Sequence, residues 1–272
     1  MTFGPDEVLA CPRCGAPLRA FVLRSANGFG ASHWTDGYLH YPMYWRRPDV
    51  SRCRECRRFY WVEDAPHLGE LPDLEGHLEL DDEPPPNEPP GLELAAPGRV
   101  PPEWERAGHV HELGLEGALA ALASGAADTP ERELALRLYA FWRSSDRNRN
   151  WRKKKVRQKT PGDRTNADAL RAILARACAE RGCPAHALLL AELERQMGRF
   201  AEAARWLERI LVQPLLERPE GPSARPRRSP RYELGWLREG ARPRDLATLA
   251  RLLDDLVRRG EVSVAPVELR AG

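Results

Sequence analysis

Four cysteines at the spacing C-x2-C-x38-C-x2-C constrain this chain more than any other feature of its sequence. Two residues between cysteines make a tight turn that aims both sulfurs at one point and directs backbone N–H groups toward them. Two such turns supply four thiolates, enough to complete a tetrahedron around one ion and to leave no position open for water or substrate. Cys11, Cys14, Cys53 and Cys56 are therefore expected to hold one structural Zn2+, whose binding stabilises the folded chain alone. CPRCG (11–15) carries the Pro and Gly usual in a metal knuckle, whereas CREC (53–56) with Arg57 carries neither. The gap of 38 residues is longer than a compact ribbon needs and implies an insertion.

Other readings of the cysteines stay open. Rubredoxins resemble this unit in their paired CxxC turns and many aromatics, and that resemblance implies iron and electron transfer. Disulfides or a redox pair are the remaining alternatives. The N-terminus has no basic start and no apolar stretch, so no signal peptide is expected, and the longest apolar run, near Ala185–Ala191, is far short of the ~20 residues of a membrane span. A cytoplasmic location, where thiols stay reduced, is the resulting expectation. Cys178 lies on the apolar face of an expected helix and Cys183 at its end, and both read as core or near-core thiols.

Charge divides the chain. Residues 1–62 carry nine basic and five acidic groups, residues 63–98 carry eleven acidic groups and no Lys or Arg, and residues 99–272 carry 33 basic and 24 acidic groups. Such segregation marks segments with different tasks. Residues 1–64 read as a zinc ribbon, with strands at Leu18–Arg24 and Phe59–Val62 following the two knuckles. Residues 65–102, containing DDEPPPNEPP at 81–90, read as an acidic Pro-rich linker. Residues 103–272 read as a helical domain. Thr129 caps a helix with Pro130 at its first position, and further helices are expected from about Thr165, from Pro184 to Gly198, at Phe200–Gln213 and at about Leu246–Arg259, with a closing strand in 261–269. The expected fold class is α+β: a small N-terminal β ribbon followed by a mainly α-helical domain.

Between the knuckles lies GFGASHWTDGYLHYPMYWRR (28–47), which holds Trp34, Tyr44, Trp45, Arg46 and Arg47. Some of these rings must cover a ribbon too small to have much core of its own. Trp, Tyr and Arg are also the usual anchors of interfaces, so these five residues are candidates for partner binding. GFGASHWTDG, then Pro42-Met43, then CREC and FYWV resembles the amino-terminal part of a family of uncharacterised bacterial zinc-ribbon proteins. The resemblance covers about residues 11–64 and implies the ribbon-then-helix architecture; it implies no activity.

AELERQMGRFAEAARWLERIL, within 184–217, is similar to one tetratricopeptide repeat, with Gly198 ending the first helix, Ala191 and Ala203 permitting close approach, and Pro214 near the closing position. An ordinary helical hairpin fits the same residues. Residues 143–164 carry ten basic and two acidic groups, with Arg152, Lys153, Lys154, Lys155, Arg157 and Lys159 around Trp151, and are the candidate nucleic-acid contact. No phosphate loop, nucleophile elbow or dinucleotide fingerprint is present, and no small-molecule substrate is evident. His109-Val110-His111-Glu112 lacks the HExxH spacing and reads as a surface or capping feature. The expectation is a non-catalytic adaptor that binds another protein, with nucleic-acid binding as the alternative.

Overall fold

The computed structural model describes residues 2–25, 27, 29–40, 42, 47–71, 100–149, 161–181, 184–212, 243–263 and 265–267. The fold is α+β, with N-terminal strands followed by mostly helical segments. Two compact units divide the chain. The first comprises Met1–Phe29 and Pro42–Leu113, and the second Gly30–Tyr41 and Gly114–Gly272.

In the first unit, β1 (Thr2–Ala10) pairs antiparallel with β2 (Pro17–Ser25). Their register shifts between Gly4 and Glu7, where Pro5 cannot donate to the ladder. β5 (Val50–Arg52) and β6 (Phe59–Trp61) form a two-stranded sheet of their own. A 3-10 turn at Val62–Asp64 leads to β7 (His67–Glu70), which pairs with β1, and Leu71 N–H donates to Asp6 O at 2.9 Å. The four-residue α1 (Pro102–Glu105) precedes β8 (Gly108–His109), which lies parallel to β2. A small core of Leu9, Leu18, Ala20, Tyr60, Val62 and Val110 closes around Cys11 and Cys53.

This arrangement differs from the sequence reading at both ends of the expected linker. Residues 67–70 are a strand because the edge of β1 offers open backbone partners, and 108–109 are a strand because Leu18 and Arg19 offer the same. Residues 72–99, which include the Pro-rich run, lie outside the described residues.

The second unit contains α2 (Leu115–Ala123), α3 (Pro130–Arg149), α4 (Pro161–Arg181), α5 (Pro184–Gln196), α6 (Phe200–Val212) and α7 (Pro243–Arg258). Thr129 Oγ1 accepts the Arg132 N–H at 3.2 Å and so caps α3 as its sequence indicates. Consecutive helices pack on one another, and α7 also returns to α5. α5 is the central element, with Leu188, Leu189, Leu190 and Leu193 buried together with Glu192, Glu194, Arg195 and Gln196. Cys178 packs against this core. Cys183 lies outside the described residues. Among the described residues no helix is long and apolar enough to cross a membrane.

The segment 30–41, set between the cysteine pairs in sequence, belongs to this helical unit. It forms a hairpin of β3 (Ser32–Trp34) and β4 (Leu39–His40), and β3 pairs on its other side with β9 (Pro266–Val267). Buried polar groups hold it there. Thr35 Oγ1 donates to Glu192 Oε1 at 2.6 Å, and the Thr35 N–H donates to Ala265 O at 3.0 Å. Trp142 Nε1 donates to Asp36 O at 2.8 Å, and Arg149 forms an ion pair with the Asp36 carboxylate. Gly37, at φ 79°, takes the left-handed turn position between Asp36 and Tyr38. Burial pushes the Asp36 carboxyl above its usual range, and the Arg149 charge pulls it back.

Thr35, Asp36, Glu192 and Arg195 are all fully buried. Removing one partner of a buried pair leaves the other charge uncompensated, which costs about 3–5 kcal/mol. Asp36→Ala should therefore destabilise the helical unit by roughly 3 kcal/mol or more. Chemical denaturation followed by the helical circular-dichroism signal measures this. An unchanged midpoint would show that the ion pair does not hold the hairpin.

Candidate metal centre

Each cysteine pair sits in a turn closed by its own backbone. In the first, Gly15 N–H donates to Cys11 O at 2.8 Å and Cys11 N–H to Ala16 O at 2.8 Å. In the second, Arg57 N–H donates to Cys53 O at 3.1 Å and Cys53 N–H to Arg58 O at 3.0 Å. The turns are therefore equivalent, and each needs a left-handed residue one position after its second cysteine. Gly15 fills that position at φ 75° and Arg57 at φ 62°. The second knuckle adopts the same geometry without a glycine, because the β5–β6 pairing of Arg52 with Phe59 fixes the turn between them.

The four sulfurs come together as the spacing predicts. Cys11 Sγ lies 3.9 Å from Cys56 Sγ and Cys14 Sγ 3.8 Å from Cys53 Sγ, and all four lie within 4.8 Å of one another. A tetrahedral ion with metal–sulfur bonds of about 2.3 Å needs sulfur–sulfur edges of about 3.75 Å. The cluster fits such an ion with only small adjustment. Four thiolates leave no open position, so a metal held here cross-links the two turns and does not activate a ligand.

Burial pushes the Cys11 thiol up to about 12 and raises that of Cys53, although backbone N–H groups of each turn partly offset the effect. Cys56 is more exposed, and the hydrogen bond from the Arg58 backbone brings it down to about 7. Cys56 is thus available as a thiolate before Cys11 and Cys53. A metal that enters must displace protons from Cys11 and Cys53, so its apparent affinity rises with pH.

The remaining sequence candidates fall in different places. Trp34 is half-buried in the helical unit, with the Arg149 guanidinium 6.0 Å from its ring centroid. Arg47 belongs to the first unit, where it bonds Glu7 at 2.6 Å. Tyr44, Trp45 and Arg46 lie outside the described residues, as do Arg152, Lys153, Lys154, Lys155, Arg157 and Lys159. His109 and His111 stand on and just after a strand, not on a helix. His109 Nε2 donates to Asp6 Oδ2 at 3.0 Å and its ring stacks on Phe21, while His111 accepts from Arg54. Burial and the neighbouring Arg54 charge lower the His111 pKa, which keeps that imidazole neutral and able to accept. The pairing of Arg54 with His111 links residues 57 apart, and no local sequence signal announces it.

Comparison with protein-family models, with curated proteins and with solved structures returned no match.

The knuckle geometry predicts opposite outcomes for two exchanges. Left-handed backbone costs a residue with a Cβ roughly 1–2 kcal/mol. Arg57→Gly removes that cost against a smaller loss in unfolded-state entropy, so the first unit should gain about 0.5–1 kcal/mol. Gly15→Ala has open space for its Cβ but the same unfavourable φ, so it should lose about 1 kcal/mol. Thermal unfolding of the metal-loaded protein reads both. Equal midpoints would contradict the assignment of strain to position 57.

Proposed function

We propose that this chain is a non-catalytic protein that holds one structural zinc ion and serves as an adaptor for another protein in the reducing cytoplasm. The observation that supports the metal part of this reading is the convergence of the Cys11, Cys14, Cys53 and Cys56 sulfurs within 4.8 Å of one another. Zinc is favoured over iron because a second knuckle with Arg57 in place of glycine departs from the rubredoxin pattern, and because d10 zinc accepts four thiolates without geometric demands. A saturated site supplies neither a Lewis acid nor a nucleophilic water, which supports a structural role.

The adaptor reading draws on the helical unit. α5 and α6 form a hairpin closed by Gly198 at φ 74°, with Ala191 and Ala203 fully buried at the approach of the two helices. This supports a tetratricopeptide-like repeat, whose exposed face would take a peptide or a protein segment. On α6 that face consists of Ala201, Ala204, Arg205, Glu208 and Arg209, with the Arg209 guanidinium 4.8 Å from the centroid of the Trp206 ring.

Affinity capture on the full-length, zinc-loaded chain tests the proposal. A stoichiometric protein partner should be retained after nuclease treatment. Capture should survive Lys153→Ala, Lys154→Ala and Lys155→Ala together, and fall at least about tenfold when Arg205 and Arg209 are both changed to Glu, as expected when hot-spot arginines are lost. Capture that disappears with nuclease, or that ignores the α6 exchange, would overturn it.

A further inference from the structure

Five arginines stand on the two metal knuckles: Arg13 in the first turn and Arg52, Arg54, Arg57 and Arg58 in and around the second. All five are exposed, while the sulfurs they surround converge within 4.8 Å. Arg19 and Arg47 in the same unit each reach a carboxylate, at 2.7 and 2.6 Å. Among the described residues, none of the five knuckle arginines forms an ion pair with a carboxylate.

Three of the five are held in place. Arg52 Nε donates to Arg57 O at 2.8 Å, and its guanidinium lies 5.4 Å from the centroid of the Phe59 ring. Arg54 donates to His111, and its side chain runs where a Cβ on residue 108 would be, 2.9 Å from Arg54 Cδ, so Gly108 leaves the space that this arginine occupies. Arg57 occupies a left-handed position that the first knuckle gives to Gly15. Five exposed cations gathered in sequence on two short turns, one of them on left-handed backbone that disfavours a residue with a Cβ, add cost to the fold.

We propose that the knuckle arginines form a binding surface for the phosphate backbone of single-stranded nucleic acid. This goes beyond the adaptor reading and uses residues that reading leaves idle. Guanidinium groups bind phosphate oxygens through paired N–H donors, and the Arg52–Phe59 stack presents a flat cationic face on which a base can lie. An acidic protein segment fits the same charge less well. A nucleic-acid strand brings what an acidic peptide lacks, a base that can lie on the Arg52–Phe59 face.

The test is a titration of full-length, zinc-loaded protein with fluorescent single-stranded RNA and DNA of mixed sequence, at 50 and 200 mM salt. Five phosphate contacts on a single strand give a log–log salt slope of about −3.5, a loss of about a hundredfold in affinity over that range. Arg57→Gly is the informative variant, because it relieves backbone strain. It should raise the unfolding temperature and keep the metal, yet weaken binding several-fold and make the slope shallower by about 0.7. Arg54→Gln should act likewise on binding. Opposite movement of stability and affinity in one variant is what a structural role for Arg57 would not produce. Arg57→Gly with undiminished binding would overturn the proposal. So would a strand that is not bound, or is bound only through Lys153, Lys154 and Lys155, or a preference for polyglutamate over nucleic acid.

Discussion

The convergence of four sulfurs is the constraint on which the N-terminal unit depends. Among the described residues its core is small: Leu9, Leu18, Ala20, Tyr60, Val62 and Val110 gather around Cys11 and Cys53, and a few further apolar side chains such as Val8 and Trp61 are buried beside them, on sheets of at most four short strands. Burial of that size offsets little of the entropy of ordering so many residues. A metal bridging the two turns would close the loop of 38 residues between them and add stability, because the unfolded chain has no such site. The raised pKa values of Cys11 and Cys53 describe the same dependence from the other side. Without an ion, Cys11 and Cys53 remain buried neutral thiols.

The second constraint is polar. α5 is surrounded on all sides, although its last two turns read ELERQ. Burying those groups is tolerable because they bond one another: Arg195 grips Glu192 at 2.7 Å, Gln196 donates to Glu192 at 2.8 Å, and Thr35 completes the set. The TDG stretch of the insertion thus adds partners, Thr35 to Glu192 and Asp36 to Arg149, from a distant part of the sequence. Trp34 shares that task, which accounts for its half-burial beneath Arg149.

What the sequence revealed and what it hid follow from how local each signal is. The knuckles, the Thr129 cap and the helix stop at Gly198 depend on residues a few positions apart, and each was readable. β1 was not, because Gly4-Pro5-Asp6 breaks the strand pattern and only the pairing with β2 and β7 restores it. The place of residues 30–41 was hidden for a stronger reason. Asp36 meets Arg149 across 113 positions and Thr35 meets Glu192 across 157, so no periodicity or spacing connects them. The candidate site divides in the same way. Its four ligands were legible, whereas the left-handed Arg57 and the seating of Arg54 against Gly108 appear only in three dimensions.

The central claim is that four thiolates, and nothing else, coordinate one zinc ion. X-ray absorption at the zinc edge of the purified full-length protein tests it most directly. The account predicts a single shell of four sulfurs at about 2.3 Å with no nitrogen or oxygen neighbour. A shell that includes a light atom at about 2.0–2.1 Å would mean an open or differently built site, and an absorption edge belonging to iron would contradict the assignment of the metal.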